Sequence, residues 1–379
     1  MPDLVAIDLP GGPRFVAALE AAWEAGDAVA PLDQRLAPPG RQLLLDMLRP
    51  AAVVGAEGRE RRGGGVPVDE GDALVVATSA STGAPKGVVL THAAVAASAE
   101  ATSARLGVDP AAHRWLACLP LNHIGGLSVV TRALHTGTPL TVLAGFDAAQ
   151  VSAMAAANVL VSLVPTALAR VRAAWFYKVV LGGSAPPAAL PANVVATYGM
   201  TETGSGVVYD GAPLDGVEIS ISPASEVLLR GPMLLRAYRD GTTPLDGQGW
   251  FATGDAGTVD GSGRLQIKGR ISDLIITGGE NVWPAAVENI LRRHPGVVEV
   301  AVSSRPDPEW GERVVACIVP ADPVGPPSLD DLRALVSEQF AAFAAPKELL
   351  ILDALPRTSI GKVRRQELRE VVLRRAGRP

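Results

Sequence analysis

Short apolar runs that recur between alanine-rich, helix-prone stretches constrain this chain more than any other feature. Residues 74–77, 115–119, 140–143, 159–164, 179–181 and 194–197 are each short and apolar, as strands buried on both faces are. Between them, Thr91 can cap a helix over 92–106, and Phe146-Asp147 opens another running to residue 157. This alternation argues for an α/β fold with mostly parallel sheets flanked by helices.

The pattern changes near residue 211. Strand-like runs at 217–221, 226–229, 257–259 and 265–268 are punctuated by Asp240-Gly241, Asp246-Gly247 and Asp260-Gly261, which reads as a small β-rich region. After Gly269-Arg270 a third section begins. Pro284 sits in the first turn of a helix that ends at Pro295-Gly296, and strands at 297–303 and 313–319 follow. Ser328 and Asp331 form a capping box for 329–340, and a last helix covers 362–375. The expected division is a large domain over 1–269, its β-rich part at 211–268, and a small α+β domain over 270–379. The glycine- and arginine-rich stretch 58–65 reads as a surface loop.

Apolar residues make up 48% of the 379-residue chain and charged ones 19%, enough apolar surface for large cores. A net charge of −5 argues against a general nucleic-acid or acidic-membrane binder. Cys118 and Cys317 lie far apart, with no His or Cys at metal-ligand spacing, which suggests a reducing compartment. No basic and apolar leader opens the sequence, and no apolar run approaches the roughly 20 residues of a membrane span. The expectation is a cytoplasmic protein without an integral membrane segment.

The run ATSASTGAPKG at 77–87 follows the first of those apolar runs. Hydroxyls, one lysine and backbone N–H groups freed at Gly83 and Gly87 are what a phosphate cradle needs. It is not the GTPase type of loop, which requires Gly-Lys followed by Ser or Thr, because Pro85 precedes Lys86 and Gly87 follows it. Taken alone, the run also fits a glycine-proline surface turn.

Further motifs follow in order: LPLNHIGG (119–126), LGGS (181–184), ATYGMTET (196–203), WFATGD (250–255), GRISD (269–273) and LPRTSIGK (355–362). Together with the 77–87 loop they resemble the acyl-adenylating superfamily of acyl- and aryl-CoA ligases, luciferases and peptide-synthetase adenylation domains. The resemblance spans nearly the whole chain. It implies a large N-terminal domain and a small mobile C-terminal domain. It also implies ATP, Mg²⁺ and coenzyme A as the molecules used, with a small carboxylic acid as the partner, and it leaves a homodimer open. A carboxylate attacks the α-phosphate of ATP in such enzymes, so positioning and cationic stabilisation are most of the catalysis.

On that resemblance, Thr78, Ser79, Ser81, Thr82, Gly83 and Lys86 hold the β- and γ-phosphates, although Ala80 stands where glycine is usual. Gly182, Gly183, Ser184, Tyr198 and Gly199 join them at the nucleotide, with Tyr198 offering a flat face to adenine. Thr201 brings a hydroxyl near the phosphates, and Glu202 is placed to bind Mg²⁺, a hard cation that prefers carboxylate oxygen. Asp255 resembles the ribose-binding aspartate, Arg270 opens the hinge, and Ser272 aligns with its pivot. Lys362 would bridge the carboxylate and the α-phosphate, unless it is one more solvated cation of its basic run. After a hinge rotation, Gly278, Gly279 and Glu280 would help form the CoA tunnel.

For the acid, the runs at 161–166 and 197–216 resemble o-succinylbenzoate–CoA ligases of menaquinone biosynthesis. That substrate carries a second carboxylate, which needs a cation when buried. Arg132, nine residues after His123, stands where that group of ligases has an arginine associated with the aromatic carboxylate. It could equally snorkel from a helix to solvent. His123, Ser162 and Gly183 would line the acyl pocket, and a hydrogen-bonded core histidine is the other reading of His123. The leading expectation is therefore an AMP- and pyrophosphate-forming o-succinylbenzoate–CoA ligase. The alternatives are a ligase for another aryl or fatty acid, or a nucleotide-binding module without catalysis.

Overall fold

The computed structural model describes residues 1–78, 86–187, 189–357 and 363–376. Two seven-stranded sheets occupy the first part of the chain. The first runs, edge to edge, through Ala237–Tyr238, Lys86–Thr91, Asp72–Thr78, Ala28–Pro31, Leu4–Ile7, Ala52–Gly55 and Gly58–Arg61. Its three central pairings are parallel, whereas its margins are antiparallel. The second runs through Ala212–Pro213, Ser205–Tyr209, Val194–Met200, Lys178–Leu181, Val159–Leu163, Arg114–Ala117 and Leu140–Val142, and every pairing from Val194–Met200 onward is parallel. Those parallel strands are continuous apolar runs because helices cover them.

Two helices do much of that covering. His92–Leu106 is capped by Thr91, whose Oγ1 accepts from the Ala94 N–H, and it ends at Gly107 in the left-handed conformation. Ile124–Thr136 buries the whole stretch from Gly126 to Ala133. The expected helix after Asp147 is shorter than the alanine pattern suggests, closing at Ala148–Ala153. The stretch read as a loop at 58–65 is corrected in part. Gly58–Arg61 pairs with Ala52–Gly55 as a fully exposed edge strand, so its charged residues guard a sheet edge.

A four-stranded sheet follows, in the order Glu218–Ile221, Glu226–Arg230, Phe251–Val259 and Leu265–Arg270. A five-stranded sheet then has the long antiparallel pair Val297–Asp307 and Gly311–Pro320 at its centre, with Glu348–Ile351 parallel to the latter. One face of that sheet packs on the helices Pro284–Leu291 and Leu329–Gln339. The other packs around Leu368 and Val372 of the last helix, Arg365–Ala376. The Ser328–Asp331 capping box is present at the start of Leu329–Gln339. By compactness the chain divides into two units. The first comprises Met1–Ser220, Leu228–Ala252 and Gly261–Leu265, and the second comprises Ile221–Val227, Thr253–Asp260 and Gln266–Pro379. No helix among the described residues is long and apolar enough to cross a membrane.

Candidate active site

In the first unit the parallel strands of the second sheet end side by side, with Leu163, Leu181 and Ala196 in register. Carboxyl ends of parallel strands are where α/β sheets bind ligands. Ser162 is buried at one of these ends. Gly182 follows the next strand, its N–H donating to the Leu163 carbonyl at 3.1 Å. Gly183 adopts φ +86, a conformation that favours glycine, and Ser184 beside it is exposed.

Tyr198 and Gly199 lie at the end of the third strand, where the pairing with Ser205–Tyr209 shifts register. A side-chain carbon on Gly199 would sit 2.2 Å from the Ser205 carbonyl oxygen, so only glycine fits. Thr201–Thr203 is then a single tight turn. Thr203 is wholly buried and locks it: its hydroxyl accepts from the Met200 N–H at 2.9 Å and donates to the Ser205 carbonyl at 2.6 Å. The turn presents the half-buried Thr201 and Glu202. Thr203 was no candidate in the sequence, although the Thr-Glu-Thr spacing carries the signal of a short side-chain-locked turn.

Thr78 and Lys86 are opposite partners at the end of the hairpin in the first sheet, and the Thr78 hydroxyl donates to the Lys86 carbonyl at 3.4 Å. Ser79, Ser81, Thr82 and Gly83 lie outside the described residues. The ammonium of Lys86 stands 4.7 Å from the ring centroid of Tyr238, and the Tyr238 hydroxyl donates to Glu202 Oε1 at 3.2 Å. Burial and the Glu202 carboxylate push the phenol up to about 12, so it remains a donor at neutral pH. The structure thus joins Lys86 and Glu202, 116 residues apart in the sequence, through a tyrosine that no motif singled out. Tyr238 sits in the polar run Arg236-Ala-Tyr-Arg239, which carries no strand pattern.

His123 is the residue that opens the helix Ile124–Thr136 and is half-buried. Burial, and then the Arg35 guanidinium, hold its pKa below the usual 6.5, against the opposing pull of Asp33. The helix N-terminus disfavours an imidazolium in the same sense. Two turns on, Arg132 is only 1% exposed, which rules out the snorkelling reading. Its guanidinium lies 4.9 Å from the Trp115 ring, and Nη2 donates to Ser205 Oγ at 3.2 Å. Nε and Nη1 are buried without a hydrogen-bond partner among the described residues. A cavity of about 10 Å³ adjoins them, lined also by Ser98, Ser128 and Thr131, with room for roughly one water.

The second unit gathers other candidates. Asp255 is 7% exposed and pairs with Arg270, Nε to Oδ1, at 3.0 Å. Arg270 Nη1 also donates to the Thr253 carbonyl at 2.6 Å. Ser272, in the turn that follows, donates to Asp273 at 3.4 Å. Gly278 and Gly279 form a two-residue hairpin loop with φ of 60 and 82, ahead of the exposed Glu280. Lys362 lies outside the described residues. The backbone is paired at Arg357 and Val363, and Arg365 Nη1 meets the buried Glu288 Oε1 at 2.6 Å.

A doubly sheeted α/β body, a lysine and a carboxylate joined at strand ends, and an aspartate–arginine pair on a β-rich element accord with comparison to known proteins. The chain belongs to the AMP-binding enzymes. The AMP-binding enzyme model matches residues 57–227, and the model of the AMP-binding enzyme C-terminal domain matches 286–362. Among curated relatives it is 39% identical to the probable 2-succinylbenzoate–CoA ligase of Mycobacterium tuberculosis, over 80% of this chain and 85% of that one. It is 33% identical to the indoleacetate–CoA ligase of Aromatoleum aromaticum, over 96% and 87%. Among solved structures, the o-succinylbenzoate CoA synthetase of Bacillus subtilis with its acyl-adenylate intermediate superposes with a TM-score of 0.84. The identity is 27%, covering 97% of this chain and 88% of that one. The same synthetase is also known in complex with ATP and magnesium ion.

Proposed function

We propose that the protein is an ATP-dependent acid–CoA ligase, and that its acid is o-succinylbenzoate, the substrate of menaquinone biosynthesis. In the first step the succinyl carboxylate attacks the α-phosphorus of ATP, giving acyl-AMP and releasing pyrophosphate. In the second, the CoA thiol attacks the acyl carbon and AMP leaves with its bonding electrons, the thiol proton passing to solvent.

The geometry and the family support the following roles. Lys86 and Thr78, with the loop between them, would hold the pyrophosphate end of ATP. Tyr198, Gly199 and Gly182–Ser184 would take the adenosine, and Asp255 with Arg270 the ribose. Thr201 and Glu202 would stand at the phosphates. Glu202 offers a half-buried carboxylate, one oxygen of which is oriented by a phenol, a donor set that fits Mg²⁺. A bound Mg²⁺ would neutralise charge on the phosphates. His123, Ser162 and Gly183 would border the acyl group, while Lys362 from a C-terminal domain beginning near residue 270 would meet the attacking carboxylate. Gly278, Gly279 and Glu280 would flank the CoA chain.

The observation that carries the choice of acid is Arg132, a buried guanidinium whose Nε and Nη1 have no hydrogen-bond partner among the described residues. Leaving such a charge without an anion is costly, and a ring carboxylate would complete it through the one water for which there is room. With o-succinylbenzoate, ATP, Mg²⁺ and CoA, the enzyme should release AMP and pyrophosphate. Arg132→Leu should lower kcat/KM for that acid about 10- to 100-fold, the scale of a hydrogen bond to a charged group, and leave a monocarboxylic aryl acid little affected. Equal losses on both acids would refute the assignment. The similarity to indoleacetate–CoA ligase over 96% of this chain favours a second reading, a ligase for an aryl monocarboxylate. Turnover of such an acid but not of o-succinylbenzoate in a pyrophosphate-release assay would select it.

A further inference from the structure

Tyr238 is the feature of the first unit that the nucleotide reading leaves unused. It lies on the two-residue strand Ala237–Tyr238, which closes one edge of the first sheet by pairing with Val88 and Val89. On either side the backbone is tied down: the Arg236 N–H donates to the Val89 carbonyl at 3.0 Å, and the Arg239 N–H to the Gly87 carbonyl at 2.7 Å. The flanking side chains add anchors. Arg236 makes two bonds to the buried carboxylate of Asp72, at 2.8 and 2.7 Å. Arg239 donates to the carbonyls of Leu48, Val66 and Pro67. A phenol held on such a strand has little freedom, and it faces two groups at once.

We propose that Tyr238 is a positioning residue for the nucleotide, its hydroxyl aiming the Glu202 carboxylate while its ring face steadies the Lys86 ammonium. The inference rests on the reading of Glu202 as metal ligand and Lys86 as phosphate ligand, and it adds what orients them. A carboxylate at the end of a flexible side chain loses entropy when it takes a cation, and a donor on one oxygen removes part of that cost in advance. An ammonium over a ring face is held without a hydrogen bond, so its donors stay available for phosphate oxygens. Asp240, two residues on and beyond the end of the strand, is exposed, and Lys86 is among the charges that act on it.

The two contacts can be separated, because phenylalanine keeps the ring and loses the hydroxyl. Calorimetric titration of ATP into the full-length protein, with and without Mg²⁺, reads binding without turnover. Tyr238→Phe should bind Mg²⁺-free ATP within about twofold of wild type, since the cation–π contact persists, and should lose about tenfold of the tightening that Mg²⁺ confers. Tyr238→Leu should weaken Mg²⁺-free ATP as well, by about three- to tenfold. A general loosening of the fold would weaken both titrations of Tyr238→Phe alike, and that result would overturn the proposal. So would a Tyr238→Phe protein indistinguishable from wild type while Glu202→Gln abolishes the Mg²⁺ effect. If Glu202→Gln itself leaves the Mg²⁺ effect intact, the metal-ligand reading fails and takes this inference with it.

Discussion

At the scale of single residues, the chemistry is set by what burial does to charge. His123 titrates below its usual 6.5 because burial, the Arg35 cation and the helix N-terminus all disfavour its protonated form. An unfolded chain would bind that proton at higher pH, so between the ordinary histidine pKa and the depressed one the unfolded state holds more protons. Unfolding free energy should therefore fall as pH drops below about 6.5, with His92, also depressed by burial, contributing in the same direction. Denaturant melts of wild type and His123→Gln across that range should show a shallower slope for the variant. Arg132 and Glu202 could be proposed from motif position alone, because each stands in a run of the sequence that resembles the family. Tyr238 and Thr203 were not, for their importance lies in what they touch, Lys86 and Glu202 for one and a reversed backbone turn for the other.

At the scale of elements, periodicity located most strands and helices, and the misses share a cause. The helix His92–Leu106 carries its own cap and its own stop, so local chemistry defined it. Gly58–Arg61 and Ala237–Tyr238 are strands only because a partner offers hydrogen bonds, and nothing in a glycine with three charged residues, or in two mixed ones, announces that. Glu288 shows how an element is fixed from a distance. It is 3% exposed, accepts from the Val302 N–H at 2.8 Å and pairs with Arg365 at the head of the last helix. Removing one partner of a buried pair leaves the other charge stranded. Glu288→Ala should cost about 3 kcal/mol of unfolding free energy, measured by chemical denaturation. Cys317, buried beneath the same helix with its thiol pushed up to about 12, should become reactive to thiol reagents earlier in the variant.

At the scale of the whole molecule, the ordered motifs made the family and the sheet architecture readable before any coordinates. The interleaved bounds of the two compact units, the second of which takes in Ile221–Val227 and Thr253–Asp260, were not, since they depend on which distant segments share a sheet. The proposed division of labour has a direct test. Lys362→Ala should abolish acyl-adenylate formation while largely sparing thioester formation from supplied acyl-AMP, followed by separate pyrophosphate-release and thiol-consumption assays. Equal loss of both steps would count against that role. The edge closed by Ala237–Tyr238 also bears on how the protein is made. Arg236 reaches Asp72 across 164 residues of chain, so the apolar strand Lys86–Thr91 must leave the ribosome long before the segment that covers it exists. Until then its outer backbone groups are an open template for pairing with other chains. A truncated chain ending at residue 230 should therefore aggregate, and supplying a peptide of residues 231–245 during refolding should raise the yield of monodisperse protein. The segment proposed to orient Glu202 and Lys86 would thus also end the nascent chain's exposure to misassembly.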